Sequence, residues 1–359
     1  MSIKLHFKRG KTLLGAPLAL AAAVGSVAQA AEVKIPDTTI AASLRTSFVY
    51  TDFDTSGSTA DFALNSLSVY LNSKLTDKIK FSLSTEIDAA NDIQVQDAIA
   101  QFEFSPEFNI WAGRFLPPTD RANSTGSYFA SHWNFATDGV QDGYEFVAFG
   151  RADGVAYWGD FADTKLKLSA GLFDIPRTTG QNEVMTAARV QYNFWDAEPG
   201  YYLSSTYYGD KDILSLGLAT NVVEGKSTTS LDFLMEKKVG DGGAFTLEAE
   251  YIKYDDLGGY NSNFASGDGY FVLGAYLLPT PVGPGKLQFL GKFGTATFED
   301  GNTPDYEQDT AEFNLNYIVK SYNCRLSLFV KDTSFSAAGV AAGKEDNTQI
   351  GLGLQLMTL

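Results

Sequence analysis

Histidine and cysteine, which often carry out catalysis or bind metals, are scarce in this 359-residue chain. Beyond residue 30 its sequence has one histidine, His132, and one cysteine, Cys324. A site with several histidine ligands is therefore excluded from that part of the chain. A serine–histidine pair would have to use His132, but the side chain of the preceding Ser131 points away from it, and no segment resembles a nucleophile elbow. We predict that the chain is not an enzyme and holds no metal or other cofactor.

Charged side chains are the other groups that could act, and most lie at alternate positions of extended segments. Alternate residues of a strand share one face, so we predict that these charges line one surface. The predicted basic residues are Arg45, Lys80, Arg114, Lys165, Lys167, Arg189, Lys292, Arg325 and Lys331. The predicted acidic residues are Glu86, Asp88, Asp97, Glu103, Asp232, Glu236, Glu248, Glu250 and Glu312. Two interpretations stay open: a solvated wall, or charge rings that select ions.

The segment from Leu64 to Asp88 shows how strands would position these charges. Leu67, Val69 and Leu71 alternate with polar residues, and after a break at 76–78 the alternation resumes. The segment therefore predicts a hairpin with one apolar face and one charged face. Each arm has about ten residues, the length of a tilted strand that crosses a bilayer. One sheet of a soluble sandwich would give the same local pattern.

The amino terminus is typical of a secretory signal peptide. Residues 1–30 have four lysines and arginines, then a mostly apolar stretch, and end in Ala28-Gln29-Ala30. We therefore predict that residues 1–30 are a signal peptide and that the mature protein is residues 31–359. Its loss changes the net charge from −16 to −20, which argues against binding to nucleic acid.

The repetition of the pattern distinguishes a barrel from a sandwich. Alternating segments of about ten residues continue to the carboxyl end, without a stretch after residue 30 that could form a membrane-spanning helix. Short turns alternate with longer loops, which are residues 117–150, 174–184, 255–268, 297–308 and 333–347. Short periplasmic turns and long external loops are typical of outer-membrane barrels. We therefore predict an all-β fold, a transmembrane antiparallel β-barrel.

The number of strands follows from parity. Seventeen segments alternate, but single-chain bacterial barrels have even numbers of strands. The order of turns and loops places the surplus segment between residues 195 and 238, where Tyr201–Tyr208 is equally aromatic and polar on both faces. We predict that 201–208 is a long turn at the membrane surface and that the barrel has sixteen strands, with eighteen left open. All eleven prolines are expected outside the strands.

At Gly113-Arg114-Phe115-Leu116-Pro117-Pro118 the chain resembles the phosphate-selective porin O/P superfamily of Gram-negative outer membranes. Residues 196–200, 208–212 and 234–238 resemble further stretches common in that group. The resemblance implies a sixteen-stranded barrel, a homotrimer, and an external loop that folds inward to narrow the pore. Its phosphate-selective members have arginine ladders and a lysine cluster along the pore, whereas the charges here are nearly balanced in sign and form no ladder.

Residues 117–150 are the candidate constriction loop, because irregular loops of this length are usually functional. The loop contains Arg121, His132 and Asp138 among its charged and polar residues, and a surface loop that covers the mouth of the pore is the alternative. Together these observations predict a water-filled outer-membrane porin for the passive diffusion of small hydrophilic solutes and ions, exported through the periplasm and surrounded by outer-membrane lipid. An anion- or phosphate-selective porin and a non-conducting structural or adhesion barrel stay open as alternatives.

Overall fold

The computed structural model of the chain describes residues 37–87, 92–135, 150–257, 260, 265–299 and 304–359. Within these residues the chain forms a closed barrel of sixteen antiparallel strands, in which each strand pairs with its neighbours in sequence and β1 pairs with β16. The predicted fold class and the count of sixteen strands are therefore confirmed. The predicted signal peptide, residues 1–30, lies outside the described residues.

The strands of the first half of the barrel are β1 Asp37–Phe53, β2 Gly57–Lys74, β3 Ile79–Ile87, β4 Ile93–Ser105, β5 Phe108–Phe115, β6 Ala152–Phe161, β7 Leu166–Ile175 and β8 Glu183–Asn193. Those of the second half are β9 Ile213–Val223, β10 Lys226–Val239, β11 Gly243–Asp255, β12 Ser266–Val282, β13 Gly285–Glu299, β14 Tyr306–Lys320, β15 Cys324–Phe335 and β16 Asn347–Met357. Two short helices, α1 Arg121–Phe129 and α2 Ala337–Ala341, lie in the connections. In the described part of the chain, no helix is long and apolar enough to cross a membrane.

The two faces of the barrel wall differ as the alternation predicts. Along β2, Leu67 and Val69 are exposed on the outside, whereas Ser66 and Ser68 are buried on the inside. Along β9, Leu216 and Leu218 are outside and Ser215 is inside. The outer face is thus a continuous apolar surface of the kind that lipid requires.

The connections at the two ends of the barrel differ in length, with three exceptions. Residues 75–78, 106–107, 162–165, 240–242, 283–284 and 321–323 form short turns at one end. The longest connection joins β5 to β6 at the other end, the loop end. One exception is residues 194–212, a long connection between β8 and β9 at the short-turn end. The other two are residues 54–56 and 224–225, short connections at the loop end. The prediction that 201–208 is not a strand is correct.

The expectation that every proline lies outside the strands is wrong at one place. Pro279 and Pro281 lie within β12, which extends to Val282. The pairing of β12 with β13 shifts register between Leu277 and Pro281. A bulge of this kind leaves backbone amides unpaired, so the missing amide hydrogen of proline has little effect there.

Candidate functional site: the barrel interior

The first part of the long connection after β5 folds into a short helix. Asp120 caps α1, because its carboxylate accepts a hydrogen bond from the backbone N–H of Asn123 at 2.7 Å. Gly126 interrupts the helix with a φ of 69°, a conformation that glycine adopts without strain. Residues Leu116 to Trp133 are mostly buried. We refer to residues 116–135 as the loop segment.

The loop segment contacts inward-facing side chains on many sides of the barrel. Its backbone N–H groups donate to Glu250 of β11, from Ala122 at 3.0 Å, and to Glu312 of β14, from Trp133 at 3.2 Å. Further bonds to its backbone carbonyl oxygens come from Arg45 of β1, Arg189 of β8, Arg325 of β15 and Gln355 of β16. These contacts place the segment against the inner face of six strands.

The side chain of Trp133 packs against the barrel wall and so holds one end of the loop segment in place. The guanidinium carbon of Arg45 lies 4.2 Å from the centre of the Trp133 ring, a cation–π arrangement. On the wall, the ring stacks on Phe329 with centroids 6.2 Å apart. A Cβ atom at Gly353 would lie 2.5 Å from carbon atoms of the Trp133 ring. The ring therefore fits only because residue 353 has no side chain.

Residues 194–212, which we call the turn segment, enter the interior from the other end. Ser205 and Thr206 donate hydrogen bonds to the inward carboxylates of Glu248 and Glu236, at 2.9 and 2.7 Å. The backbone N–H of Gly200 donates to Asp160 at 3.0 Å. The prediction that 201–208 lies at the membrane surface is therefore wrong: its polar side chains find buried carboxylates on the inner wall.

The loop segment and the turn segment meet inside the barrel. The guanidinium of Arg121 donates two hydrogen bonds to the carboxylate of Glu198, at 2.9 and 2.7 Å, and a third to the carbonyl of Ser204 at 2.8 Å. Both partners of the ion pair are at most 1% exposed. Beside it, Arg189 of β8 pairs with Asp232 of β10. These buried ion pairs connect the two segments to each other and to the wall.

A cavity of about 450 Å³ remains on one side of the interior. Its outer wall is formed by inward residues of β2 to β5, and its inner wall by α1 and residues 202–204 of the turn segment. Serine, threonine, asparagine and glutamine side chains make up much of the lining, together with Glu86, Asp97 and Arg151. The lining is therefore mixed, because apolar side chains such as Ile99 and Trp111 lie beside these polar groups.

An apolar cluster inside the barrel was not expected from the sequence. Trp111, Phe115, Phe173 and Phe271 belong to it, and all are at most 5% exposed. Trp111 stacks obliquely on Tyr201 of the turn segment, with ring centroids 4.7 Å apart. The inward aromatic residues of the wall thus pack against apolar side chains of the inserted segments. In an open channel the same residues would face water.

Most of the residues predicted to line the interior do face it. Lys80 pairs with Glu103 at 2.5 Å, and Asp97 pairs with Arg151 at 2.8 Å. The carboxylate of Glu86 accepts hydrogen bonds from Ser68 at 2.6 Å and from the N–H of Leu67. Arg45, Arg121, Lys167, Arg189 and Arg325 are buried against the inserted segments. Some of the inward residues, such as Glu86 and Asp97, line the cavity, whereas others are buried under the inserted segments. The alternation of polar and apolar residues in the sequence does not distinguish these two environments.

Two predicted lining residues are placed wrongly by the sequence. Arg114 is exposed on the outer face near the end of β5, where it pairs with Asp153 at 2.7 Å. In β5 the inward positions are Trp111 and Phe115, because the inner cluster is apolar there. Lys165 is exposed in the turn before β7, since the three residues before it are in the left-handed region and the strand begins only at 166. Asp138 lies outside the described residues.

His132 is buried in the loop segment and faces the wall. Its Nε2 lies 3.3 Å from the Nζ of Lys292 on β13, and its ring stacks near Phe135. Among the described residues, no group of three or more histidine, cysteine, aspartate or glutamate side chains could hold a metal ion. The arrangement at His132 is thus a contact between the loop segment and β13.

At the loop end of the barrel, the connection between β15 and β16 is hydrogen-bonded to the turn between β1 and β2. Glu345 accepts hydrogen bonds from the N–H groups of Thr55 and Ser56, at 2.5 and 2.6 Å, and from both hydroxyl groups. These hydrogen bonds lower the pKa of Glu345 to about 2. The carboxylate is therefore ionised at neutral pH and fixes two loops to each other.

Comparison with solved structures shows a shared fold at low sequence identity. The chain matches OprB of Pseudomonas putida with a TM-score of 0.63 and 11% identity, over 89% of this chain and 94% of that one. It matches a loop-deletion mutant of OmpT, an outer membrane protein of Vibrio cholerae, with 0.57 and 12%, over 89% and 99%. It matches an anion-selective porin from Comamonas acidovorans with 0.55 and 15%, over 90% and 99%. No protein-family model and no curated protein matches the chain.

These matches show that the chain shares the barrel fold of porins, but they do not single out the phosphate-selective O/P group that the sequence resembles. The prediction that the chain is not an enzyme is wrong as a conclusion from this fold. The matched structures include OmpT of Vibrio cholerae alongside porins. At 12–13% identity these matches show a shared fold, and the fold by itself does not support the conclusion that the chain lacks an activity.

Proposed function

We propose that the chain is an outer-membrane porin of a Gram-negative bacterium, through which small hydrophilic solutes and ions diffuse passively. The observation that carries the proposal is the cavity of about 450 Å³, lined in part by polar and charged side chains, between the β2–β5 wall and the inserted segments. The apolar outer face suits surrounding lipid. A closed barrel with these two faces is the structure that a water-filled channel requires.

We propose that the loop segment, which contains the first described part of the candidate constriction loop 117–150, narrows the pore. Its support is the set of hydrogen bonds from Arg45, Arg189 and Arg325 on the wall to its backbone carbonyls. These bonds hold it away from the mouth of the barrel, unlike a loop that covers the surface. Solutes would be sieved by the space left between the loop segment and β2–β5.

The remaining parts of the proposal concern export and assembly. Residues 1–30 would direct the chain to the periplasm and be removed there. Assembly as a homotrimer rests on the resemblance to O/P porins and suits the barrel form. Cross-linking of the protein in outer-membrane fractions would test the location and the trimer. The fraction shows where the protein is, and the size of the cross-linked product gives the number of subunits.

A second candidate is a non-conducting barrel with a structural or adhesive role. The observation in its favour is that the loop and turn segments bury the inner face of β8 to β16, where inward carboxylates such as Glu236 and Glu248 are at most 1% exposed. An anion- or phosphate-selective channel is less favoured, because Arg121, Arg189 and Arg325 are each bound to carboxylates or carbonyls. Permeation separates these candidates.

Swelling of liposomes that contain the refolded protein tests the proposal. We expect pentoses and hexoses to enter the liposomes. The rate of influx should decrease for a disaccharide and decrease further for a trisaccharide. Ser82 lines the cavity, so Ser82→Trp is expected to slow influx severalfold. Ala100 lies on the same sheet with its side chain outside, so Ala100→Trp is the matched control and should leave influx unchanged. Equal influx into protein-free liposomes would overturn the proposal.

A further inference from the structure

We infer that the cavity prefers cations and that Glu86 is the residue that determines this preference. The inference rests on the proposed function, since it names the ions that would pass through the same cavity. The numbers of positive and negative residues on the inner wall are nearly equal, so the total charge does not indicate this preference.

The first step is that the cations of the inner wall are not available to a passing ion. Seven of them are at most 6% exposed; they are Arg45, Arg121, Lys167, Arg189, Lys292, Arg325 and Lys331. Lys80 is the exception, since its side chain is 38% exposed, but its charge is paired with Glu103 at 2.5 Å. Arg121 and Arg189 are held by Glu198 and Asp232. Arg325 donates to the carbonyls of Ala130 and Ser131, at 2.6 and 3.1 Å. These positive charges hold the inserted segments in place instead of lining the open space.

The second step concerns the charged groups that do line the cavity, which are Glu86, Asp97 and Arg151. Arg151 donates to Asp97 at 2.8 Å, so these two charges largely cancel. Glu86 accepts hydrogen bonds from neutral groups, the hydroxyl of Ser68 and the N–H of Leu67. None of the ion pairs between described residues includes Glu86. Among the described residues that line the cavity, the charges therefore sum to one excess negative charge, located at Glu86. Arg45 interacts electrostatically with Glu86, but its guanidinium is buried and donates to the carbonyl of Trp133.

The third step is the size of the effect. A carboxylate about 4 Å from a monovalent ion enriches the cation about fivefold even at the dielectric constant of water. Salt reduces this enrichment, because the screening length decreases from about 10 Å at 0.1 M to about 3 Å at 1 M. A single carboxylate in excess among the lining charges of a cavity of this size is thus sufficient for a measurable preference at low salt.

The test is the reversal potential of refolded protein in planar bilayers under a potassium chloride gradient at or below 0.1 M. We expect a potassium-to-chloride permeability ratio above 1 for the wild type. Glu86→Gln keeps the shape of the side chain and is expected to lower the ratio about two- to fivefold. Arg151→Gln frees Asp97 and is expected to raise it by a similar factor. Glu107→Gln, the same chemical change in the exposed turn between β4 and β5, should leave the ratio unchanged.

The outcomes separate this inference from the proposed function. Opposite shifts for Glu86→Gln and Arg151→Gln, with Glu107→Gln unchanged, would support the inference. A wild-type channel that prefers chloride, or a ratio that Glu86→Gln does not alter, would overturn the inference while the porin function stands. A folded barrel that conducts no ions would overturn the proposed function, and the inference with it.

Discussion

Arg121 in the loop segment and Glu198 in the turn segment are 77 residues apart in sequence, yet they form a buried, two-pronged salt bridge at 2.7 and 2.9 Å inside the barrel. One segment enters from each end of the barrel, and this ion pair joins them beside other hydrogen bonds, such as that from the Tyr201 hydroxyl to the carbonyl of Leu116 at 2.8 Å. The pair therefore fixes the position of both segments relative to the wall, and with it the shape of the remaining cavity.

Removing one partner of this pair leaves an uncompensated buried charge. We expect Arg121→Gln to lower the free energy of unfolding by about 3–5 kcal/mol, as measured by urea unfolding followed by tryptophan fluorescence. The matched control is Arg114→Gln, because Arg114 also donates two hydrogen bonds to one carboxylate, that of Asp153, but on the exposed outer face. Its loss is expected to cost at most about 1 kcal/mol. Equal losses for the two variants would show that the Arg121–Glu198 pair does not hold the segments together.

Gly353 is expected to be essential for the docking of Trp133. A methyl group there would lie 2.5 Å from the ring, so Gly353→Ala should displace Trp133 and release that end of the loop segment. We expect a change in tryptophan emission and an increase in single-channel noise. The control is Gly291→Ala on β13, where nothing lies within 4 Å of the added Cβ. Unchanged emission in Gly353→Ala would argue that the ring is not held in this notch.

The contact between Glu345 and the first hairpin is expected to depend on pH. The pKa of Glu345 is about 2 in the folded protein, against 4.5 without its hydrogen bonds. Its stabilising contribution is thus complete above about pH 4.5 and is lost as the pH falls toward 2. Amide exchange at Thr55 and Ser56 should be slower in the wild type than in Glu345→Gln at pH 6, and the difference should disappear near pH 2. A difference that persists at pH 2 would contradict this assignment.

The outer face is expected to reject charge in a way that depends on depth. Leu218 is exposed on the outer face in the middle of β9. Leu218→Arg should lower the free energy of unfolding by about 2–4 kcal/mol in lipid. Val222→Arg, near the end of the same strand, should cost about 0–1 kcal/mol. Equal costs at the two positions would indicate that this face does not contact the interior of a bilayer.

The barrel itself could be predicted from the sequence because its wall obeys a simple rule. Leu67, Val69 and their neighbours alternate with polar residues, so the period of two identifies both the strands and the face that lipid covers. Parity then gave sixteen strands, and the uniform faces of 201–208 correctly marked it as a segment that belongs to no strand. Each of these conclusions depends only on residues near one another in sequence.

The interior could not be predicted in the same way, because its contacts join residues far apart in sequence. The rule that apolar residues face lipid fails for Trp111 and Phe115, which pack on aromatic residues of the inserted turn segment. The same failure reversed the assignment of Arg114. Alternation indicated that Arg189 and Arg325 face inward, but nothing in the sequence distinguishes them from Glu86, which lines a cavity.

The most direct test of this account is the single-channel conductance of the refolded, full-length mature protein in planar bilayers. We expect discrete steps of current, grouped in threes as for a trimer of water-filled barrels. A protein that is folded, as judged by its β-sheet circular dichroism and resistance to protease, and yet conducts no current would contradict the porin function and leave the structural or adhesive barrel as the better interpretation.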